Sequence, residues 1–188
     1  MEPWRSFYVP FFETADDAEQ FIAACEPKAL PDIAAKIIMH QAQRLVSISD
    51  DLPQIRPHQE PLRLLFLLMC AENVSKLQQG FTGEGQSRAH VRRFFSQFLC
   101  QADRDSISNG FTDNNHHLLP ALGFDRAVDL LYDLRCDVVH EGNYSDFAFH
   151  DSTMPMVNTN PNVITEIRLG DVRSIVVRGC IAAAETRL

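Results

Sequence analysis

The sequence predicts a mostly α-helical domain with a small two-stranded β appendage before a C-terminal helix, and three features of its pattern predict it. Five segments repeat apolar residues at spacings of three and four, the period of an amphipathic helix, and a sixth is apolar nearly all round. After Tyr144 the period changes to two, as in short strands. Proline, glycine and polar clusters separate the segments, and neither an internal repeat nor a low-complexity stretch interrupts them.

The elements follow in chain order. Thr14 caps a helix with Asp16 and Asp17 in its first turn and an apolar face of Ala18, Phe21, Ile22 and Cys25, which Pro27 ends. A second helix is expected over Pro31–Ile48, with Ile33, Ile37, Ile38, Leu45 and Ile48 at helical spacing. The stretch "SDDLPQIRPHQEP" then reads as a polar loop. "PLRLLFLLMCAENVSKLQQ", Pro61 to Gln79, is the central helix, and Gly80 stops it. Beyond the loop "GFTGEGQ", Ser87 is the expected cap of a helix whose inward stripe is Val91, Phe94, Phe95, Phe98, Leu99 and Ala102. "RDSISNGFTDNNHHLLPALG" reads as a long connector with at most one short turn.

A fifth helix is expected over Phe124–Glu141, where Phe124, Val128, Leu131, Tyr132, Val138 and Val139 share a face and Gly142 closes the end. "DFAFH" and "NVITEIRL" alternate as strands expected to pair with each other, the first with Phe147 and Phe149 on one side, the second with Val163, Thr165, Ile167 and Leu169. Asp171 is the expected cap of a final helix carrying Val172, Ile175, Val176, Gly179 and Ala183.

Composition bounds the function. At 188 residues, 45% hydrophobic and 22% charged, the chain suits one globular domain, 1–188. No apolar run reaches a membrane span, and the N-terminus lacks the basic flank and cleavage site of a signal peptide, so a cytoplasmic protein is expected. Five dispersed cysteines without a CxxC pair suit reduced thiols packed as small hydrophobes, with no zinc site. A net charge of -8 argues against a general nucleic-acid coat and leaves room for a local basic site.

Several suggestive patterns fail. "HEGNY" at His140 has Tyr144 where a zincin motif needs its second histidine. "GFTGEG" follows a helix and lacks a P-loop lysine. "NNHH", Asn114–His117, lacks companion ligands at metal spacing. The basic cluster "RAHVRR" places Arg92 and Arg93 on the solvent side of its helix, where a phosphate has access, although an ordinary solvated face has the same pattern.

Arg135 stands in the middle of the apolar face of the fifth helix, where a charge is costly unless it is paired or has a task. Glu72 of the central helix is the obvious partner if the role is structural. His140 lies about 140 degrees around the helix and about 7.5 Å along it, on the polar side with Asp129, Asp133 and Asp137. The two share a site only if the last turn unwinds or a second copy of the chain supplies part of it.

The stretch "LRCDVVHEG", late in a mainly helical core, resembles the HEPN superfamily (higher eukaryotes and prokaryotes nucleotide-binding domains), whose members carry an arginine, a spacer of four to six residues and a histidine. Here these are Arg135, four residues and His140, in apolar flanks and followed by Gly142. The strands and last helix resemble the Apea-like versions.

The resemblance implies a helical bundle that dimerises so that the arginine and histidine of both protomers line one cleft, and a metal-independent endoribonuclease that needs no cofactor. His140 would assist attack of a ribose 2'-hydroxyl on the adjacent phosphate, and Arg135 would hold that phosphate, leaving a 2',3'-cyclic phosphate and a 5'-hydroxyl. Asp137, Arg92 and Arg93 are assigned to binding. Members often carry asparagine or aspartate directly after the arginine, where this chain has Cys136. The settings implied are stress response, toxin–antitoxin pairs with an antitoxin-like partner, or anti-phage defence. The alternative is a non-catalytic module that binds RNA, a nucleotide or another protein.

Overall fold

The computed structural model describes residues 2–26, 33–115, 120–142, 147–150 and 163–188. Eight α-helices occur among them: α1 Glu2–Tyr8, α2 Ala15–Cys25, α3 Ala34–Ile55, α4 Glu60–Gln78, α5 Ser87–Phe98, α6 Gln101–Asn109, α7 Phe124–His140 and α8 Leu169–Glu185. Strands β1, Phe111–Asp113, and β2, Val163–Thr165, form a two-stranded antiparallel sheet with Phe111 opposite Thr165. The architecture is mostly α with a small β appendage before the C-terminal helix, as the pattern predicts.

α4 is the axis of the bundle. It packs against α3, α5, α7 and α8, so Leu64, Leu67, Leu68, Cys70, Ala71 and Val74 are buried on several sides at once. That is why its sequence is apolar nearly all round instead of along one stripe. Helix α2 meets its expectation closely: the Thr14 hydroxyl accepts the Asp17 amide at 3.1 Å, and Ala18, Phe21, Ile22 and Cys25 are buried. Pro27 lies outside the described residues. At the end of α4, Gly80 adopts φ 61°, a left-handed conformation that favours glycine.

The structure departs from the sequence reading in several places, one of them Val139, expected on the inward face of α7 but 48% exposed beside buried Val138. Helix α3 does not stop at Ile48 but runs through Pro53 to Ile55. Proline removes the amide that Ser49 O would receive in a helix, and Arg63 Nε donates to that carbonyl at 3.0 Å in its place. The expected inward face of α3 is also rotated: Ile38 and Leu45 are buried, but Ile33 is 57% and Ile48 39% exposed.

Ser87 is not the cap of α5. Gln86 occupies that position with φ 59°, and the Ser87 hydroxyl donates to Glu72 at 2.7 Å. The stripe expected through Ala102 breaks after Phe98, where α5 ends, and the first residues of the expected connector, from Arg104 to Asn109, are helical. The chain turns extended at Leu99 and Cys100, where Arg104 Nε donates to the Leu99 carbonyl at 3.2 Å, and α6 begins with Ala102 exposed. Buried Ile107 and an Asp103–Arg178 ion pair to α8 hold α6 in place.

The sheet pairs β2 with β1, not with "DFAFH". Phe147 and Phe149 bury their rings edge to face in the core, and the Phe149 amide donates to Glu60 Oε2 at 2.7 Å. Gly110 lets the sheet close, since a Cβ there would meet Ile167 Cβ at 2.7 Å. Finally, Arg168 and not Asp171 caps α8. Asp171 sits three residues in and accepts the Arg168 amide at 3.3 Å.

The aromatic N-terminus is also helical. Tyr8 is fully buried and donates its hydroxyl to Met39 O at 2.7 Å, which ties α1 to α3. Cys25, Cys70 and Cys180 are buried, Cys136 is half-buried and Cys100 exposed, all as free thiols. No described helix is long and apolar enough to cross a membrane.

Candidate functional site

Helix α7 presents Arg135 toward α4 and leaves His140 at its exposed last turn, as helical geometry requires of residues five apart. The Arg135 side chain is only 17% exposed, and its Nη2 lies 3.5 Å from Glu72 Oε2. Glu72 is the hub of a polar cluster where α4, α5 and α7 meet. Its other oxygen is 2.6 Å from Lys76 Nζ, one turn further along α4, and accepts from Ser87 Oγ at 2.7 Å. Burial raises the cost of the Glu72 charge, but Lys76, Ser87 and the more distant Arg135 outweigh it, and its carboxyl is held below the usual range.

Tyr132 forms the other wall. The guanidinium carbon of Arg88 is 4.8 Å from the centre of its ring and that of Arg135 5.6 Å, both within range of a cation–π contact. Burial and then the neighbouring Cys136 thiol push the Tyr132 phenol up. Cys136 is therefore a half-buried neighbour of Tyr132.

The carboxylates expected beside His140 serve other groups. Asp129 accepts from Arg92 Nε at 2.6 Å and Asp133 pairs with Arg88, so the two helices α5 and α7 are laced together by ion pairs. The hydrogen bond from Arg92 holds the Asp129 carboxyl below its ordinary range against the opposing effect of burial. Arg92 is thus exposed but tied to Asp129, whereas Arg93 has no ion pair among the described residues. Asp137 is half-buried, and its carbonyl accepts the Glu141 amide at 3.0 Å at the end of α7.

The geometry joins Arg135 to Glu72 and Arg92 to Asp129, and it leaves His140 and Arg93 apart from both pairs. Sequence reasoning missed Lys76, Ser87, Tyr132 and Arg88 as members of the cluster. Of these, Lys76 was legible, four residues beyond Glu72 on one helix face; the others meet only through the packing of three helices. His90 was also missed. It is buried between α4 and α5, with Nδ1 3.4 Å from Ser75 Oγ and its ring 4.7 Å from that of Phe81; burial lowers its pKa.

Among the described residues no group of three or more His, Cys, Asp or Glu side chains is placed to hold a metal ion. His116 and His117 of "NNHH" lie outside the described residues. Chemically, the arrangement offers an oriented arginine beside an aromatic ring, with an exposed imidazole on the same helix. No family model matches the chain, and no curated protein or solved structure does so either.

Proposed function

We propose that this chain is a HEPN-type, metal-independent endoribonuclease that works in the cytoplasm as a homodimer, with Arg135 and His140 as its catalytic pair. The observation that carries the reading is the condition of the Arg135 guanidinium. Glu72 is already served by Lys76 and Ser87 at short range, and Arg135 approaches it only to 3.5 Å. The carboxylate orients the arginine through one long hydrogen bond from Nη2, and a guanidinium has five N–H groups to give. The spare donors suit a phosphate, which a guanidinium grips through two parallel hydrogen bonds.

In the proposed reaction, His140 takes the proton of a ribose 2'-hydroxyl as that oxygen attacks the adjacent phosphorus. The bond from phosphorus to the 5'-oxygen breaks, that oxygen takes a proton relayed through water from the His140 imidazolium, and Arg135 stabilises the charge that grows on the phosphate oxygens. A second protomer supplies the facing arginine and histidine, because one helix holds its own pair on different sides. A toxin–antitoxin pair with an antitoxin-like partner, or anti-phage defence, is the proposed setting.

The test incubates purified protein with mixed RNA beside Arg135→Ala and His140→Ala variants, with end-group analysis. Wild type is expected to leave 2',3'-cyclic phosphate and 5'-hydroxyl ends, and each variant to lose at least about 100-fold in rate. Equal cleavage by all three, or none by wild type, rejects the proposal. Light scattering on the same sample is expected to give twice the chain mass.

A second reading is a non-catalytic helical module that binds RNA, a nucleotide or another protein. It is favoured by one feature: the Arg135–Glu72 and Arg92–Asp129 pairs are closed within a single protomer. Saturable RNA binding without turnover, weakened by Arg93→Ala and unchanged by His140→Ala, would select it.

A further inference from the structure

The N-terminal half of α3 and the short helix α1 border an open cleft of ≈ 470 Å³. That volume falls within the roughly 300–1,000 Å³ of small-molecule sites. Trp4, Ile37, Lys36, His40, Gln41 and Arg44 line it. We propose that this cleft binds a nucleoside phosphate, with the base against Trp4 and Ile37 and the phosphate between Lys36 and Arg44.

Three observations support this. Lys36, His40 and Arg44 recur every four residues, so they form one stripe about 12 Å long on α3. In a chain of net charge -8 the other described arginines near acids are spent on carboxylates: Arg88, Arg92, Arg126, Arg135, Arg173 and Arg178 all form ion pairs. Lys36 and Arg44 have no such partner among the described residues. Among the described residues only Glu26 forms an ion pair with the stripe, 3.5 Å from His40 Nε2. The field of the cleft is therefore positive and its ligand an anion.

The second observation is aromatic. Trp4 is half-buried, its ring centre 4.3 Å from that of His40, and beside Ile37 it makes a flat apolar wall suited to a ring. The third is an orphaned acceptor. Gln41 Oε1 is buried without a hydrogen-bond partner among the described residues, and Gln41 lines the cleft. A base offers N–H donors that satisfy the Gln41 amide once it turns toward the cleft. No residue of α7 lines the cleft, so the proposal stands apart from Arg135 and His140.

Trp4 is the only tryptophan in the chain, so its fluorescence reports on this cleft alone. The full chain is titrated with adenosine and guanosine monophosphates, with adenosine and inorganic phosphate as separate arms. Saturable quenching by a nucleotide is expected, with each half alone at least about tenfold weaker. Arg44→Ala and Lys36→Ala, both changes of surface cations, are each expected to weaken it about tenfold, the loss of one charge-assisted contact. His140→Ala is expected to leave it unchanged, which separates this test from that of the ribonuclease.

Fluorescence that does not respond up to millimolar nucleotide overturns the proposal. So does equal affinity in the two cation variants, or saturation by inorganic phosphate as strong as by nucleotide. A chain mass that doubles through this face and reverts in Arg44→Ala, with no response to nucleotide, assigns the cleft to a second copy and overturns it as well.

Discussion

At the scale of single residues, Glu72 carries the clearest consequence. It is 8% exposed and answers two cations and a hydroxyl, so replacing it by glutamine leaves Lys76 and Arg135 without their anion. Glu72→Gln is expected to cost about 2–3 kcal/mol at neutral pH. Because folding lowers the carboxyl's pKa, the unfolded chain binds its proton first as pH falls. The stabilisation is complete above the unfolded pKa of about 4.3 and declines as pH drops below it through the folded value. Urea unfolding of wild type and Glu72→Gln should therefore give stability curves that converge as pH falls below about 4.3; curves that stay parallel would refute the assignment. An arginine on an apolar stripe pointed to a buried acid, and Glu72 was the one acid in the apolar helix. That Ser87 would turn to Glu72 instead of capping α5 was not legible, because a side chain's choice between two acceptors depends on where a neighbouring helix puts the second.

At the scale of elements, the continuation of α3 past Pro53 depends on a contact from α4. Ser49 lends its carbonyl to Arg63 Nε, and its hydroxyl donates to Arg63 O at 3.1 Å, so the two helices exchange hydrogen bonds at the point where proline interrupts the helix ladder. Arg63→Leu is expected to cost about 1 kcal/mol in the wild-type background. In a Pro53→Ala background residue 53 regains an amide for the Ser49 carbonyl, and the same change should cost less than half as much. A double-mutant cycle by urea unfolding reads this coupling, and an equal cost in both backgrounds would show that the contact does not replace the lost helix bond. Helix α6 makes a related point. Its sequence carries one buried apolar residue, Ile107, and its buried Asp103 pairs with Arg178, 75 positions further along the chain. Helical periodicity cannot reveal an element held mainly by a distant charge and a packed neighbour.

At the scale of the molecule, α8 closes the bundle. It buries residues on nearly every side, and Gly179 admits the Phe94 ring so closely that a Cβ would lie 2.7 Å from Phe94 Cζ. Two ion pairs fix its rotation: Arg173 donates to Asp50 of α3 at 2.6 and 2.7 Å, and Arg178 pairs with Asp103 of α6. Arg173→Leu and Arg178→Leu are each expected to cost about 1 kcal/mol, near the upper end for partly exposed pairs. The arginines lie about 7.5 Å apart along the helix and answer different helices, so the double variant should lose the sum within about 0.5 kcal/mol. A loss well beyond the sum in thermal or urea unfolding would mean that α8 docks as one cooperative unit through both clamps. The sequence by itself determined the helical class, the helices α2, α4, α7 and α8, the burial of their stripes apart from Val139 of α7, and the inward stance of Arg135. Periodicity, capping and the cost of a buried charge act within one element and need no partner. Only the tertiary structure decided which strand β2 pairs with, how far α3 runs, that α6 exists and that Asp129 and Asp133 serve arginines instead of His140. Each of these is settled by competition between groups far apart in the chain, and which group wins depends on distances that exist only after the helices have packed.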